Sequence, residues 1–274
     1  MSIWTESGDF ENIVLSRPRD HVAMLTLNRP RQLNAYTHAL CKEVVAAIED
    51  YLRDDGLRCL VVTGAGRAFC SGGDVSGVDG HRETLRDKQL FDGREMRDGM
   101  HRVILALARL DKPVIAMVNG PAVAGGLALA LSCDIRVASD QARLGDTSGR
   151  FGLLPDEGGA WLFPRAMGLD RALKMTFLAE VYDAQEALRL GLVTEVVPHG
   201  ELEARTLALA ERIAGQAPLA VRLAKSMMVR GLDSTLERSL GDAQMAVLIS
   251  NPTDDVEEGT KAFFERRKPV FKGR

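Results

Sequence analysis

The chain has 274 residues, 46% of them hydrophobic, which is enough to bury a full core of one or two domains. Its 27% charged and 5% aromatic residues are those of a globular protein and exclude a disordered or fibrous one. A net charge of −3 provides no basic domain of the kind nucleic-acid binding shows, so an anionic ligand must be met by local Arg and Lys clusters.

Residues 1–10 are polar and carry Glu6 and Asp9, without the basic and apolar regions of a signal peptide. No apolar stretch reaches the roughly 18 residues of a membrane span, so none is expected. Residues 12–17 and 22–28 read as strands, and Pro18-Arg19-Asp20 between them predicts a hairpin turn. Residues 37–52 place Leu40, Val44, Ala47, Ile48 and Leu52 at helical spacing, with Thr37 as N-cap. The run 59–63, followed by Gly64 and Gly66, predicts a strand buried on both faces. Residues 76–98 are polar and read as a mobile loop leading into a helix; residues 100–110 are amphipathic and helical. A second buried strand is expected over 113–118, then a helix over 126–132 and strands over 135–138 and near 193–197. This alternation predicts a largely parallel α/β arrangement. After Pro198 four helical segments follow (202–214, 219–230, 235–249 and 253–268) with no strand between them. A boundary is expected at 198–200, dividing residues 1–198 from a helical region, 199–274, that packs as its own domain or on a partner subunit.

The four cysteines, Cys41, Cys59, Cys70 and Cys133, form no CxxC pair and no Cys/His metal pattern. They read as buried reduced thiols of a cytoplasmic protein with no metal. Gly64-Ala65-Gly66 does not complete a GxGxxG fingerprint, so no dinucleotide is assigned. Cys70 has no histidine placed by sequence to activate it. His81 and His101 read as a loop and a helix residue, and Trp161 and Phe163 as acyl-pocket or core packing.

Two small-residue clusters follow strands. Residues 68–74 (Ala-Phe-Cys-Ser-Gly-Gly-Asp) form either a plain turn or a tight loop whose amides face a ligand. Residues 119–127 (Asn-Gly-Pro-Ala-Val-Ala-Gly-Gly-Leu) either pack a helix closely on a strand or open a helix whose unpaired N–H groups face a ligand. Two such donors converging on one oxygen make an oxyanion hole.

In this order and spacing, the clusters resemble the crotonase family. Matching pieces run through nearly the whole chain: 27–30 (Leu-Asn-Arg-Pro) with Asn34-Ala35, 67–74, Lys112-Pro113 with Asn119-Gly120, Cys133-Asp134, 152–159 (Gly-Leu-Leu-Pro-Asp-Glu-Gly-Gly), Gly191-Leu192-Val193 and 258–267. The resemblance implies an α/β crotonase (ClpP/crotonase-like) fold, a spiral of β-β-α units with a C-terminal helical trimerisation region. It implies an acyl-CoA thioester as ligand, with coenzyme A part of the substrate and no separate cofactor, and a homotrimer or dimer of trimers. It further implies that the backbone N–H groups of Gly73 and Gly125 form the oxyanion hole. CoA is expected along Arg31, Leu33, Ser71, Asp74 and Val75, with Phe263 and Arg266 of the last helix helping to hold it. For Arg266, a solvated charge suited to a helix C-terminus is the alternative.

The enoyl-CoA hydratases of this family use two glutamates, and the matching positions here are Ala128 and Ser148. Hydration uses one group to activate water and another to deliver a proton. The remaining carboxylate, Asp156, matches the place where the resemblance puts a single acid/base in Δ3,Δ2-enoyl-CoA isomerases. Asp156 is the expected base, although it is also suited to N-cap the following helix; Glu157 and Asp146 are further candidates. The expected activity is thus isomerisation of an enoyl-CoA through an enolate. Hydration with other acid and base residues, and acyl-CoA binding without turnover, are the alternatives.

Overall fold

The computed structural model describes Trp4, residues 10–74 and residues 93–274. The positions of Val75, His81 and most of the loop expected over 76–98 lie outside the described residues.

Alternation along the central strands sets the architecture. All of Cys59–Gly64 (β3) is buried. Leu60 and Val62 face one hydrophobic cluster, Cys59 and Val61 another, because successive side chains of a strand point to opposite faces. A strand between two apolar clusters has to be central. The main sheet runs β1-β2-β3-β4-β6-β9, with Ile13–Arg19 as β1, Val22–Leu27 as β2, Val114–Val118 as β4, Ile135–Ser139 as β6 and Glu195–Val197 as β9. β1 and β2 pair antiparallel, and every other neighbour pair is parallel. The hairpin turns at Asp20-His21 rather than at Pro18-Arg19, which belong to β1. Proline has no N–H to donate, and β1 is an edge strand where none is needed on the open side. A smaller sheet, β5-β7-β8, is built from Ala122–Val123 (β5), Arg143–Gly145 (β7) and Val181–Asp183 (β8).

His38–Arg53 (α1), Met100–Arg109 (α2) and Gly125–Leu131 (α3) contribute to the cluster that holds Leu60 and Val62. The Thr37 side chain caps α1 by accepting from Leu40 N. Gly159–Met167 (α4), Leu169–Leu178 (α5) and Ala184–Leu190 (α6) extend that layer. Leu202–Ala214 (α7) covers the opposite face, burying Leu202, Leu207, Ala210 and Ala214 against Val22, Val61, Ile115 and Val137. The first helix after Pro198 therefore packs on the sheet. Pro218–Gly231 (α8), Leu236–Ser250 (α9) and Asp254–Glu265 (α10) follow it and keep Met228, Leu232, Leu236, Leu240, Leu248, Phe263 and Phe264 exposed. No helix among the described residues is long and apolar enough to cross a membrane.

Candidate active site

Three parallel strands, β2, β3 and β4, deliver three loops to one edge of the sheet. The carboxyl edge of parallel strands is where such sheets bind ligands. The loop after β3 is held from both sides. Asn34, fully buried, donates to the carbonyls of Ala65 and Ala68 and accepts from Arg29 N. Asn119 donates to the carbonyls of Gly64 and Gly66. Further along, Phe69 N and Cys70 N donate to Pro121 O. Tyr36 N donates to Gly72 O, and Asp74 N to Tyr36 O. This pairing leaves the Gly73 N–H outside the ladder.

The second donor arises where β5 passes into α3. Gly125 is the first residue of α3, so its N–H has no carbonyl four residues back. Among the described residues neither the Gly73 nor the Gly125 amide makes a hydrogen bond. The approach of the two segments demands glycine at position 126: a Cβ there would lie 2.0 Å from Cys70 O. The helix also starts from a strained residue, since Ala124 has φ 50° and ψ −124°.

The polar side chains beside these amides are Glu157 and Tyr36. Glu157 is 6% exposed. A Cβ at Gly125 would lie 2.6 Å from Glu157 Oε1 and 2.6 Å from Tyr36 Cε1, and one at Gly73 would lie 3.2 Å from Tyr36 Oη. Tyr36 Oη donates to Glu157 Oε1 at 2.7 Å, while Oε2 is buried without a partner. Burial pushes the Glu157 carboxyl from 4.5 up to about 7; hydrogen bonds from Tyr36 and from the backbone work against that, and neighbouring Asp156, by its charge and a side-chain hydrogen bond, adds to it. Tyr36 is driven far above its ordinary value, by burial first and then by Glu157, so it stays a neutral donor.

The other expected residues are placed as follows. Asp156 has its side chain on the surface and its carbonyl accepting from His101 Nε2 at 2.8 Å. It does not cap α4: Gly158 is the N-cap residue there, without a side-chain cap, which corrects that expectation. Asp146 is fully buried, with both oxygens taken by Ser148 N and Thr176 Oγ1, so it holds the loop rather than facing the amides. Ala128 and Ser148 are buried. Leu33 O accepts from Ser71 N, and Arg29 holds Asp74 at 2.8 Å. Arg31 is exposed near them. Phe263 is 79% exposed and Arg266 ends α10 in a left-handed conformation. The tail after them is tied to the far edge of the sheet: Lys272 N and Gly273 N donate to Asp255, and Arg58, which precedes β3, donates to Phe271 O. Among the described residues no hydrogen bond or ring contact joins Phe263 or Arg266 to the segments that carry Gly73 and Gly125. Cys70 is buried, and burial pushes its thiol up to about 12, which removes it as a nucleophile. Phe163 is core, whereas Trp161 is half exposed under the stacked guanidinium of Arg165, 3.8 Å from the ring centroid.

Tyr36 is the site-lining residue that sequence reading missed. It follows the Asn34-Ala35 match directly, but an aromatic there reads equally as core.

Two unengaged amides stand at the carboxyl edge of a parallel sheet with one buried carboxylate beside them, an arrangement whose chemistry suits a carbonyl oxygen as ligand. A family model described as enoyl-CoA hydratase/isomerase matches residues 17–274. The chain is 34% identical to the short-chain-enoyl-CoA hydratase of Clostridium acetobutylicum over 261 residues, 95% of this chain and 97% of that protein. It is 37% identical to the (E)-benzylidenesuccinyl-CoA hydratase of Thauera aromatica over 255 residues, 93% and 96% of the two chains. The crystal structure of an enoyl-CoA hydratase from Bacillus anthracis superposes with a TM-score of 0.90 at 35% identity, covering 96% of this chain and all of that one. The protein belongs to the enoyl-CoA hydratase/isomerase family and has the crotonase fold.

Proposed function

We propose that this chain moves a proton along the enolate of an acyl-CoA thioester, as an enoyl-CoA isomerase, with Glu157 as its base. The observation that carries the reading is a single buried carboxylate beside the Gly125 amide, with the side chains of Ala128 and Ser148 unable to serve as a second. The thioester oxygen of a 3-enoyl-CoA accepts from the N–H groups of Gly73 and Gly125. Glu157 takes a C2 proton, and the C2–H electron pair passes into the enolate, whose negative oxygen the two amides stabilise. The enolate then takes the proton back at C4, giving the conjugated 2-enoyl-CoA and restoring the carboxylate. One group with a pKa near 7 is suited to both halves of that shuttle.

Hydration is the second reading, supported by the names of the relatives and by the closeness of the Asp156 charge to Glu157. In that reading one of the two activates water and the other delivers the proton. Parallel assays with trans-3-hexenoyl-CoA and crotonyl-CoA separate them through the absorbance of the conjugated thioester. A rise with the first, lost in Glu157→Gln, supports isomerisation; a fall with the second, lost in Asp156→Asn as well, supports hydration. Bound acyl-CoA with no exchange at C2 in deuterated water leaves binding without turnover.

No cofactor beyond the substrate's own CoA is needed for either chemistry. The apolar side chains exposed on α8, α9 and α10 support a homotrimer or a dimer of trimers, and the expected contact of Phe263 and Arg266 with CoA then comes from a neighbouring subunit. Four free, buried cysteines are in keeping with a cytoplasmic location.

A further inference from the structure

We propose that Tyr36 is the positioning residue of the base: its hydroxyl fixes Glu157 Oε1 and leaves Oε2 as the oxygen that takes the proton. This rests on the reading of Glu157 as base and adds a residue to it. Tyr36 Oη lies 2.7 Å from Oε1, and Oε2 is buried with no partner. An unpartnered carboxylate oxygen in a buried site is costly, and it is the atom with capacity for a new bond.

The position of Tyr36 is itself fixed. Its backbone pairs with Gly72 O and Asp74 N, so the ring is held against the loop that presents the Gly73 amide. Its ring edge closes on the Gly125 side of the hole as well. One side chain thereby ties the distance between base and oxyanion donors, which is the quantity a proton shuttle depends on. The titratable groups facing Glu157 among the described residues are Tyr36 from the segment before α1, Cys70 from the loop after β3 and Asp156 beside it. His101 of α2 reaches the turn only through the Asp156 carbonyl. Cys70 and Tyr36 are held neutral by burial, so Tyr36 is the one of these side chains that stabilises the ionised carboxylate, while Asp156, by its charge and a side-chain hydrogen bond, favours the protonated form.

Such a hydrogen bond favours the ionised carboxylate, and that supplies a readout that simple packing does not move. The carboxyl titration of Glu157 is followed by infrared difference spectroscopy against Glu157→Gln, in wild type, in Tyr36→Phe and with 3-fluorotyrosine at position 36. C2 exchange of an acyl-CoA in deuterated water is measured alongside. Tyr36→Phe is expected to raise the Glu157 pKa by about one unit or more and lower the exchange kcat about ten-fold with KM within two-fold. Fluorotyrosine, a stronger donor of nearly the same shape, is expected to shift the pKa downward. Equal pKa values in all three proteins, or shifts in the same direction for both replacements, overturn the proposal. Exchange that persists at the wild-type rate in Glu157→Gln overturns the underlying reading instead, and the infrared shifts keep the two failures apart.

Discussion

The side chains of Asn34 and Asn119 donate to the same carbonyl oxygen, that of Ala68, from opposite sides at 2.8 and 3.3 Å. They come from the loops after β2 and β4 and meet on the loop after β3. That loop is thus pinned by polar atoms in the interior, where a lost partner costs more than the net value of a hydrogen bond.

Removing that pin has a defined cost. Asn34→Ala leaves the Ala65 carbonyl and the Arg29 amide without their partner, leaves the Ala68 carbonyl only its longer bond from Asn119, and puts alanine at a φ of 57°. A loss of about 2–4 kcal/mol is expected, read as a lower midpoint in urea. Turnover is expected to fall as well, since Gly73 follows directly on the loop. A variant with unchanged midpoint and rate contradicts the pinning.

Gly125→Ala tests the hole itself. The new Cβ meets Glu157 Oε1 and Tyr36 Cε1 at 2.6 Å, closer than van der Waals contact, so either the amide or the base has to move. A drop in kcat of about 10²–10³ is expected, the magnitude typical for losing one oxyanion donor. Stopped-flow single turnovers at saturating substrate read it without interference from binding. Full activity in the variant means that the carbonyl oxygen sits elsewhere.

Glu157 links activity to stability through pH. Its carboxyl is raised from 4.5 to about 7 by burial, so between those values the unfolded chain has lost a proton that the folded chain keeps. Stability therefore falls as pH rises across that window and is level above it. Glu157→Gln removes the penalty, on the order of 3 kcal/mol. The variant's melting temperature is expected to exceed wild type by about 5 °C at pH 8, with little difference at pH 4.5. A gap that does not change with pH shows that Glu157 is not held protonated.

Much of the scaffold was legible because its signals are local. Cys59–Gly64 and Val114–Val118 are continuous apolar runs, and Thr37 announces α1 by its own hydroxyl. The short strands β5, β7 and β8 span two or three residues each, too few for any period to register. Pro18 looked like a turn because its missing donor says nothing of whether the strand is at an edge. At the site, Gly73 and Gly125 were reached through the family resemblance, and their unengaged amides are consistent with it. The order of Asp156 and Glu157 was not legible. Adjacent residues in a turn point in different directions, and Gly158 at φ 101° sets which one faces inward. That Tyr36 meets Glu157, 121 residues away, is a product of the tertiary fold alone.

On this reading Glu157 is the group that takes the C2 proton. Its most direct test is deuterium uptake at C2 of butyryl-CoA, by mass spectrometry, with wild type, Glu157→Gln and Asp156→Asn at equal occupancy. Uptake is expected with wild type and Asp156→Asn, and none with Glu157→Gln although it still binds the thioester. Wild-type uptake by Glu157→Gln, with loss in Asp156→Asn, would contradict it.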